Sequence, residues 1–135
     1  MTLVVDASVV IAALVDDGPA GSWALTTLRE GELLAPQHLY VEAANALRRG
    51  ELSARLTRDV ATLAHEELLN LPIDVMPYPP IAHRVWELRS AVSSYDACYV
   101  ALAEQVDADL VTLDARLMRA PGPRCRFRAL PPLAP

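Results

Sequence analysis

Short apolar runs alternate with segments of helical periodicity along the chain. The runs are rich in Leu, Val and Ile, a composition typical of strands buried on both faces of a parallel sheet. They predict strands at residues 3–5, 33–36, 73–76 and 110–113, with a short edge strand at 125–129. The periodic segments predict helices at residues 7–15, 22–29, 37–49, 53–71, 81–91 and 95–105, and a short helix around 117–118. Strands alternating with helices predict an α/β fold, a three-layer α/β/α sandwich with a mainly parallel central sheet.

Turn signals separate these elements. Asp16-Asp17-Gly18-Pro19 ends the first helix, and Gly50 is expected to stop the helix at 37–49. No repeat or low-complexity segment interrupts the alternation. The chain of 135 residues is therefore predicted to be one domain over 1–130, followed by a Pro-rich tail at 131–135.

The composition is rich in apolar residues, at 53%. No apolar run is long enough to cross a bilayer and no basic leader precedes the first strand, so neither a membrane span nor a signal peptide is predicted. Cys98 and Cys125 stand apart without clustered histidines, which argues against a zinc site and a disulfide scaffold. We expect a reduced, cytoplasmic setting, with Cys98 in the core and the apolar excess buried against a partner or another copy.

The net charge of −5 is unusual for a protein that touches nucleic acid. All twelve basic residues are arginines, and five lie in the last quarter of the chain: Arg116, Arg119, Arg124, Arg126 and Arg128. The planar guanidinium group suits phosphate, but a GC-rich genome would also favour arginine. Both explanations of the arginine run stay open, and no catalytic role is assigned to it.

Four acidic residues stand outside the polar turns and exposed helix faces where most acids of this chain lie. Asp6 and Asp114 each follow an apolar strand and precede a helix, Asp96 opens a helix after two serines, and Glu42 borders the apolar stripe of its helix. The carboxyl ends of parallel strands share one edge of a sheet, so acids at these junctions can converge. Taken singly, the aspartates could be helix N-caps and Glu42 an exposed helix residue.

Considered jointly, the four carboxylates indicate a metal site. Held close together they would repel one another unless a cation neutralised them. Ligation by oxygen alone, without His or Cys, indicates a hard ion such as Mg²⁺ or Mn²⁺. Carboxylate-bound ions of this kind commonly serve phosphoryl chemistry, and the bound charge would offset the negative net charge of the chain.

Four segments carry a family resemblance, and they occur in the family's order over about 110 residues, nearly the whole chain. They are Val4-Val5-Asp6-Ala7-Ser8, Glu42-Ala43-Ala44-Asn45-Ala46-Leu47, Tyr95-Asp96-Ala97-Cys98-Tyr99-Val100-Ala101-Leu102-Ala103 and Leu110-Val111-Thr112-Leu113-Asp114. With these motifs the chain resembles a PIN-domain ribonuclease, and more narrowly a VapC-type toxin of a type II toxin–antitoxin system. A PIN-like, Rossmann-like sandwich is the fold that this resemblance implies.

Carried over position by position, the resemblance implies a catalytic metal site. Its main Mg²⁺ ligands would be Asp6 and Asp96, with Glu42 and Asp114 completing the acidic pocket directly or through water. The residues that would support these carboxylates lie in the same motifs: Ser8, Asn45 and Thr112.

The function that the resemblance implies is cleavage of single-stranded or looped RNA by a metal-activated water, with Mg²⁺ as cofactor and Mn²⁺ able to substitute. The resemblance also implies a homodimer and a VapB-type antitoxin that covers the acidic pocket, typically with a basic side chain. That antitoxin would bind operator DNA, so contact of this chain with DNA would be indirect. No membrane partner is expected.

Two other functions compete with this interpretation. A Rossmann-like aspartyl-nucleophile phosphatase also begins with a strand that ends in Asp, but its chemistry needs a second Asp two residues later, where this chain has Ser8. The second alternative is a PIN-fold binding module whose acids no longer hold a metal. Intact acids at all four positions favour the enzyme.

Overall fold

A computed structural model describes residues 1–132 as one central sheet with helices packed on both faces. In chain order the strands are β1 (Thr2–Val5), β2 (Glu32–Pro36), β3 (Ile73–Met76), β4 (Asp109–Val111) and β5 (Phe127–Arg128). The helices are α1 (Ala7–Val15), α2 (Pro19–Leu28), α3 (Leu39–Leu52), α4 (Arg58–Asn70), α5 (Ala82–Glu87), α6 (Ser94–Val106) and α7 (Ala115–Arg119), and a 3₁₀ turn at Pro79–Ile81 precedes α5.

The strands lie in the order β3-β2-β1-β4-β5, and every pairing within residues 1–132 is parallel. Val4 of the central strand β1 pairs with Leu34 of β2 on one side and with Leu110 of β4 on the other. The strand order changes direction between β1 and β4. Sheets of this type bind ligands at that switch point, beyond the carboxyl ends of the strands.

Alternate residues of β1 enter two separate cores, one on each face of the sheet. Leu3 and Val5 pack into a core that includes residues of α1 to α4. Val4 packs into the opposite core with side chains of α5 and α6, among them Val85 and Val100. Because successive side chains of a strand point to opposite faces, this arrangement produces the predicted α/β/α sandwich, and the prediction that Cys98 is buried is also correct.

The link between α3 and α4 differs from the sequence prediction. Gly50 does not stop α3, which continues to Leu52. Its carbonyl instead accepts hydrogen bonds from the backbone N–H groups of Arg55 and Leu56, each at 3.0 Å, and so winds the chain into a turn. The hydroxyl of Thr57 then caps α4, which begins at Arg58 rather than at the predicted residue 53.

Several other boundaries also moved. Pro19 opens α2 instead of belonging to the preceding turn, because its fixed φ suits the first helical position. The helix predicted at 81–91 is shortened to α5. Strand β4 ends before Leu113 and Asp114 because their N–H groups donate to the hydroxyls of Ser8 and Thr112.

Close contact between α1 and α2 depends on Gly21. A Cβ atom at this position would lie 1.8 Å from the carbonyl oxygen of Asp16 and 3.0 Å from that of Ala12. Only glycine allows the two helix backbones to approach so closely. This contact holds α2 against the C-terminal end of α1.

Within residues 1–132, no helix is both long enough and apolar enough to cross a membrane. Residues 133–135 of the predicted Pro-rich tail lie outside the described part of the chain.

Candidate active site

Asp6 lies at the carboxyl end of β1 with its side chain almost completely buried. The hydroxyl of Ser8 donates to Oδ1 at 2.5 Å, and the backbone N–H of Val9 donates to the same oxygen at 3.2 Å. The hydroxyl of Thr112 donates to Oδ2. Asp6 is therefore the N-cap of α1 and, at the same time, a carboxylate fixed on both oxygens.

Burial raises the pKa of Asp6 to about 6. The hydrogen bonds from Ser8, Thr112 and Val9 oppose this shift, and the negative charge of Asp96 adds to it. The ionised form of Asp6 is thus disfavoured in the protein alone. A cation beside the carboxylate would reverse that preference.

Asp114 occupies the equivalent position after β4. It caps α7 by accepting from the N–H groups of Arg116 at 2.9 Å and Leu117 at 3.3 Å. Its own N–H donates to the hydroxyl of Thr112 at 2.9 Å. Thr112 therefore connects the acid after β1 with the acid after β4.

Asp96 lies in the first turn of α6, where Ser93 is the N-cap and accepts from the Asp96 N–H at 3.2 Å. Burial is the main cause that raises the pKa of Asp96, followed by the negative charges of Asp114 and Glu42. Asp96 is therefore close enough to Asp114 and Glu42 for their negative charges to disfavour its ionised form.

Glu42 lies in the first turn of α3, and its Oε1 is 2.6 Å from Nε2 of His38. The ring of His38 packs edge-on against Tyr95 and Tyr99, with centroid distances of 5.8 and 5.1 Å. Tyr99 is fully buried, and burial followed by the negative charges of Glu42 and Asp6 raises its pKa. Its hydroxyl has no hydrogen-bond partner among the described residues.

All four predicted acids line one open cavity of about 260 Å³. Ser8 also lines it, while Thr112 is buried beneath Asp6. Asn45 is exposed on α3 and does not line the cavity. Its supporting role therefore stays a prediction. Among residues 1–132, Arg49 is the one basic residue that lines the cavity. The positive charge of Arg116, outside the lining, partly opposes the rise in the pKa of Asp96.

The donor set suits a hard cation that keeps part of its water shell. The buried carboxylate of Asp6, with its raised pKa, is a group that gains from a neighbouring positive charge. Within residues 1–132, no three His, Cys, Asp or Glu side chains are arranged to hold an ion by themselves. Mg²⁺ usually binds through one or two carboxylates and retains several waters, which matches acids spread over the walls of a cavity.

Sequence reasoning missed three side chains around this cavity: His38, Arg49 and Tyr99. Their spacing contained the signal. His38 precedes Glu42 by four residues and Arg49 follows it by seven, so both lie near Glu42 on one face of a helix. From the sequence, neither residue is assigned to the site.

Two of the five C-terminal arginines, Arg126 and Arg128, form ion pairs with acids of the same chain. Nε of Arg126 is 2.9 Å from Oδ1 of Asp109, and Nη1 of Arg128 is 2.6 Å from Oε2 of Glu30. A second nitrogen of Arg128 reaches Asp109 at 3.2 Å. These contacts connect β5 to the rest of the sheet and leave the two guanidinium groups engaged at a distance from the acidic cavity.

Comparison with known proteins assigns the class. The sequence profile of the PIN domain matches residues 3–123, and the chain therefore belongs to the PIN-domain family. Ribonuclease VapC1 of Mycobacterium tuberculosis is 38% identical over 126 residues, which cover 93% of this chain and 95% of that protein. Within the PIN-domain family, the chain thus groups with the VapC ribonucleases, and the predicted family is confirmed.

Solved structures confirm the fold. PAE2754 from Pyrobaculum aerophilum superimposes with a TM-score of 0.71 at 24% identity, covering 96% of this chain and 84% of that one. VapBC2 from Rickettsia felis, solved bound to a DNA fragment from its promoter, gives a TM-score of 0.67 at 10% identity over 96% of this chain and 98% of that one. The α/β/α architecture with a parallel sheet is shared with both.

Proposed function

We propose that this chain is the toxin of a type II toxin–antitoxin system, an endoribonuclease that hydrolyses RNA with the help of Mg²⁺ bound by Asp6, Glu42, Asp96 and Asp114. One observation carries the proposal: acids from four separate elements line a single cavity at the switch point of the sheet. Membership among the VapC ribonucleases supports the endoribonuclease activity. Mn²⁺ would substitute because the ligands are all oxygen atoms.

The side chains divide the work of holding and orienting. Asp6 and Asp96 are the main ligands, and Glu42 and Asp114 complete the acidic wall directly or through water. Ser8 and Thr112 fix both oxygens of Asp6, which keeps that carboxylate in one orientation. When bound, the ion would offset the phosphate charge and activate a water molecule for attack.

The proposed reaction is an in-line hydrolysis. A water oxygen forms a new bond to phosphorus as the bond from phosphorus to the 3′ oxygen breaks. The leaving 3′ oxygen takes up a proton, so the products are a 3′-hydroxyl and a 5′-phosphate. No nucleophilic side chain takes part, and the Ser8 hydroxyl in the cavity wall instead donates a hydrogen bond to Asp6.

The proposed partners are RNA, a second copy of the chain and a VapB-type antitoxin that covers the acidic cavity with a basic side chain. Several large apolar side chains are exposed and would suit such interfaces: Val41, Leu52, Leu63, Leu69, Trp86 and Tyr95. Contact with DNA would be made by the antitoxin, and the chain would act in the cytoplasm.

The test is RNA cleavage by the purified chain with Mg²⁺, compared with Asp96→Asn. We expect cleavage with 5′-phosphate ends, complete inhibition by excess EDTA, and a loss of at least about a hundredfold in Asp96→Asn. Asp74→Asn is the matched control, since Asp74 is an exposed acid on β3 outside the cavity. Full activity in EDTA, or an active Asp96→Asn, would contradict the proposal.

The competing binding module is separated by calorimetry with Mn²⁺. If the chain is a metal-dependent enzyme, the wild type should bind Mn²⁺. The Mn²⁺ affinity of Asp6→Asn and of Asp96→Asn should be weaker. No heat of binding to the wild-type chain, together with no cleavage, would favour the module.

A further inference from the structure

The acidic cavity contains one positive charge of its own, that of Arg49. Glu42, Ala46 and Arg49 follow one another on the same face of α3, and all three line the cavity. Four carboxylates repel a polyanion such as RNA, and one divalent ion neutralises only half of their charge. An arginine at this position supplies the attraction that the acids lack.

The cavity continues into a second one of about 450 Å³ through three shared residues, Ile11, Ala46 and Arg49. We call this second cavity the arginine groove. Arg49 and Arg55 contribute its charged walls, and its apolar surface comes from Ile11, Val15, Ala46 and Leu56. The continuous surface therefore changes from strongly acidic to basic with an apolar floor.

Arg55 is held at the groove by the turn after α3. Its backbone N–H donates to the carbonyl of Gly50 at 3.0 Å, and its Nε donates to the hydroxyl of Ser53 at 3.1 Å. The Ser53 hydroxyl donates in turn to the same Gly50 carbonyl at 3.2 Å. The turn thus orders the guanidinium group before any ligand arrives.

Neither groove arginine is neutralised within the chain. In the part that the structure describes, Arg49 and Arg55 form no ion pair, whereas Arg84, Arg126 and Arg128 each lie within 3.2 Å of a carboxylate oxygen. Both groove arginines are exposed. They are available to an anionic ligand in a way that the paired arginines are not.

We infer that the arginine groove binds the RNA strand next to the bond that is cleaved, with Arg49 on the phosphate beside the scissile one and Arg55 on a phosphate further along. The inference rests on the proposed function and adds a binding subsite to it. A guanidinium group can donate two parallel hydrogen bonds to one phosphate. The apolar floor of the groove can pack against the sugar and the faces of the bases. Positively charged walls select an anionic occupant, and the RNA substrate of the proposed function carries a negative charge on every phosphate.

The experiment measures RNA affinity separately from cleavage. Arg49→Gln and Arg55→Gln are introduced into the Asp96→Asn variant, and the binding of a labelled single-stranded RNA is followed by fluorescence anisotropy with Mg²⁺ present. Arg48→Gln is the matched control, because Arg48 is exposed beside Arg49 on α3 and lines neither cavity. We expect roughly tenfold weaker binding for each groove variant and a change of less than about twofold for the control.

Two further readouts separate a phosphate contact from a general structural effect. The slope of log Kd against log salt concentration should fall by about 0.7 for each groove arginine removed. Arg49→Lys should restore part of the affinity, since it keeps the charge but not the planar fork. In the otherwise wild-type chain, Arg49→Gln should raise KM roughly tenfold and change kcat by less than about twofold.

RNA affinity and salt slope that are unchanged in both groove variants would overturn the inference, as would an equal loss in Arg48→Gln. Cleavage by the Asp96→Asn chain would instead contradict the proposed function, so the two failures are distinguishable. Melting temperatures equal to that of the parent chain verify that each variant is folded.

Discussion

Asp6 meets two demands at the level of a single residue. It caps α1, and it places a nearly buried carboxylate at the edge of the acidic cavity. The sequence left these two roles as alternatives, and the structure gives Asp6 the geometry for both. The cost is electrostatic, because burial disfavours the charged form that a metal ligand needs.

Replacing Asp6 with Asn should therefore remove the pH dependence that the buried carboxylate gives to the metal-free fold. With a pKa of 3.8 unfolded and about 6 folded, the wild-type side chain retains a proton in the folded state between these values. Its contribution to the free energy of unfolding is present at low pH, declines as the pH rises from about 4 to 6, and is lost above that range. In EDTA, Asp6→Asn should show no such decline, so the difference in the free energy of unfolding between Asp6→Asn and wild type should change in favour of the variant by up to about 3 kcal/mol between pH 4 and pH 8.

Urea unfolding at several pH values checks this prediction, with Asp74→Asn as an exposed control. A parallel decline in Asp6→Asn and wild type between pH 4 and 6 would show that another group is responsible.

Thr112 should matter more than its small size implies. Its hydroxyl donates to Asp6 and accepts from the N–H of Asp114, so Thr112→Val leaves a carboxylate oxygen and a backbone donor without partners. We expect a loss of about 1–3 kcal/mol in the free energy of unfolding, together with reduced RNA cleavage. Thr112→Ser keeps the hydroxyl and should retain most of the activity. Equal losses in both variants would indicate that the methyl group of Thr112, and not its hydrogen bonds, maintains the stability and the activity.

The four acids could be predicted from the sequence because each stands at a point where an apolar strand or helix pattern breaks. The convergence of Asp6 and Asp114 follows from topology alone, since parallel strands bring their carboxyl ends to one edge. His38 and Arg49 could not be placed in the same way. Whether a helical side chain faces a cavity or solvent depends on how α3 packs against its neighbours, and periodicity does not contain that information.

At the scale of elements, periodicity was sufficient for the number and order of helices and strands. The errors occurred where a backbone group took a partner that no periodic pattern specifies. The carbonyl of Gly50 accepts hydrogen bonds from two backbone N–H groups and so forms a turn. Helix α4 therefore begins only at Arg58. The hydroxyls of Ser8 and Thr112 took the N–H groups that would have extended β4.

The contact between α1 and α2 gives a prediction of unusual sign. Gly→Ala inside a helix normally stabilises by about 0.5–1 kcal/mol, but a Cβ on Gly21 would collide with the backbone of Asp16. Gly21→Ala should therefore lower the free energy of unfolding by about 1–3 kcal/mol because α2 must move away. Chemical denaturation measures this, and Thr26→Ala, at an exposed position of the same helix, should stay within about 0.5 kcal/mol of wild type. A stabilised Gly21→Ala would mean that the two helices separate at little cost.

For the whole molecule, the proposed cation site in the acidic cavity would couple metal binding to stability. A cation that binds only the folded chain adds RT ln(1 + [L]/Kd) to the free energy of unfolding, about 2.7 kcal/mol at a hundred times Kd. For a domain of this size, such a gain corresponds to a rise in Tm of roughly 5–10 °C.

Thermal unfolding with added Mn²⁺ or Mg²⁺ tests that coupling. The wild-type Tm should rise and return to its starting value with excess EDTA, whereas Asp6→Asn should respond much less. An equal rise in both proteins would place the stabilising cation elsewhere on the surface.

The hydrogen bond from Thr112 to Asp6 joins residues 106 positions apart. This separation determines when, during synthesis, the chain can first assemble its active site. At a synthesis rate of about 5–20 residues per second, roughly 5–20 s pass between the appearance of Asp6 and that of Thr112 on the ribosome. Asp114 arrives later still. Throughout that interval a nascent chain lacks both the end of β4 and the hydrogen bond that orients Asp6. A ribosome translating this message therefore does not build a working nuclease before Thr112 and Asp114 have been added.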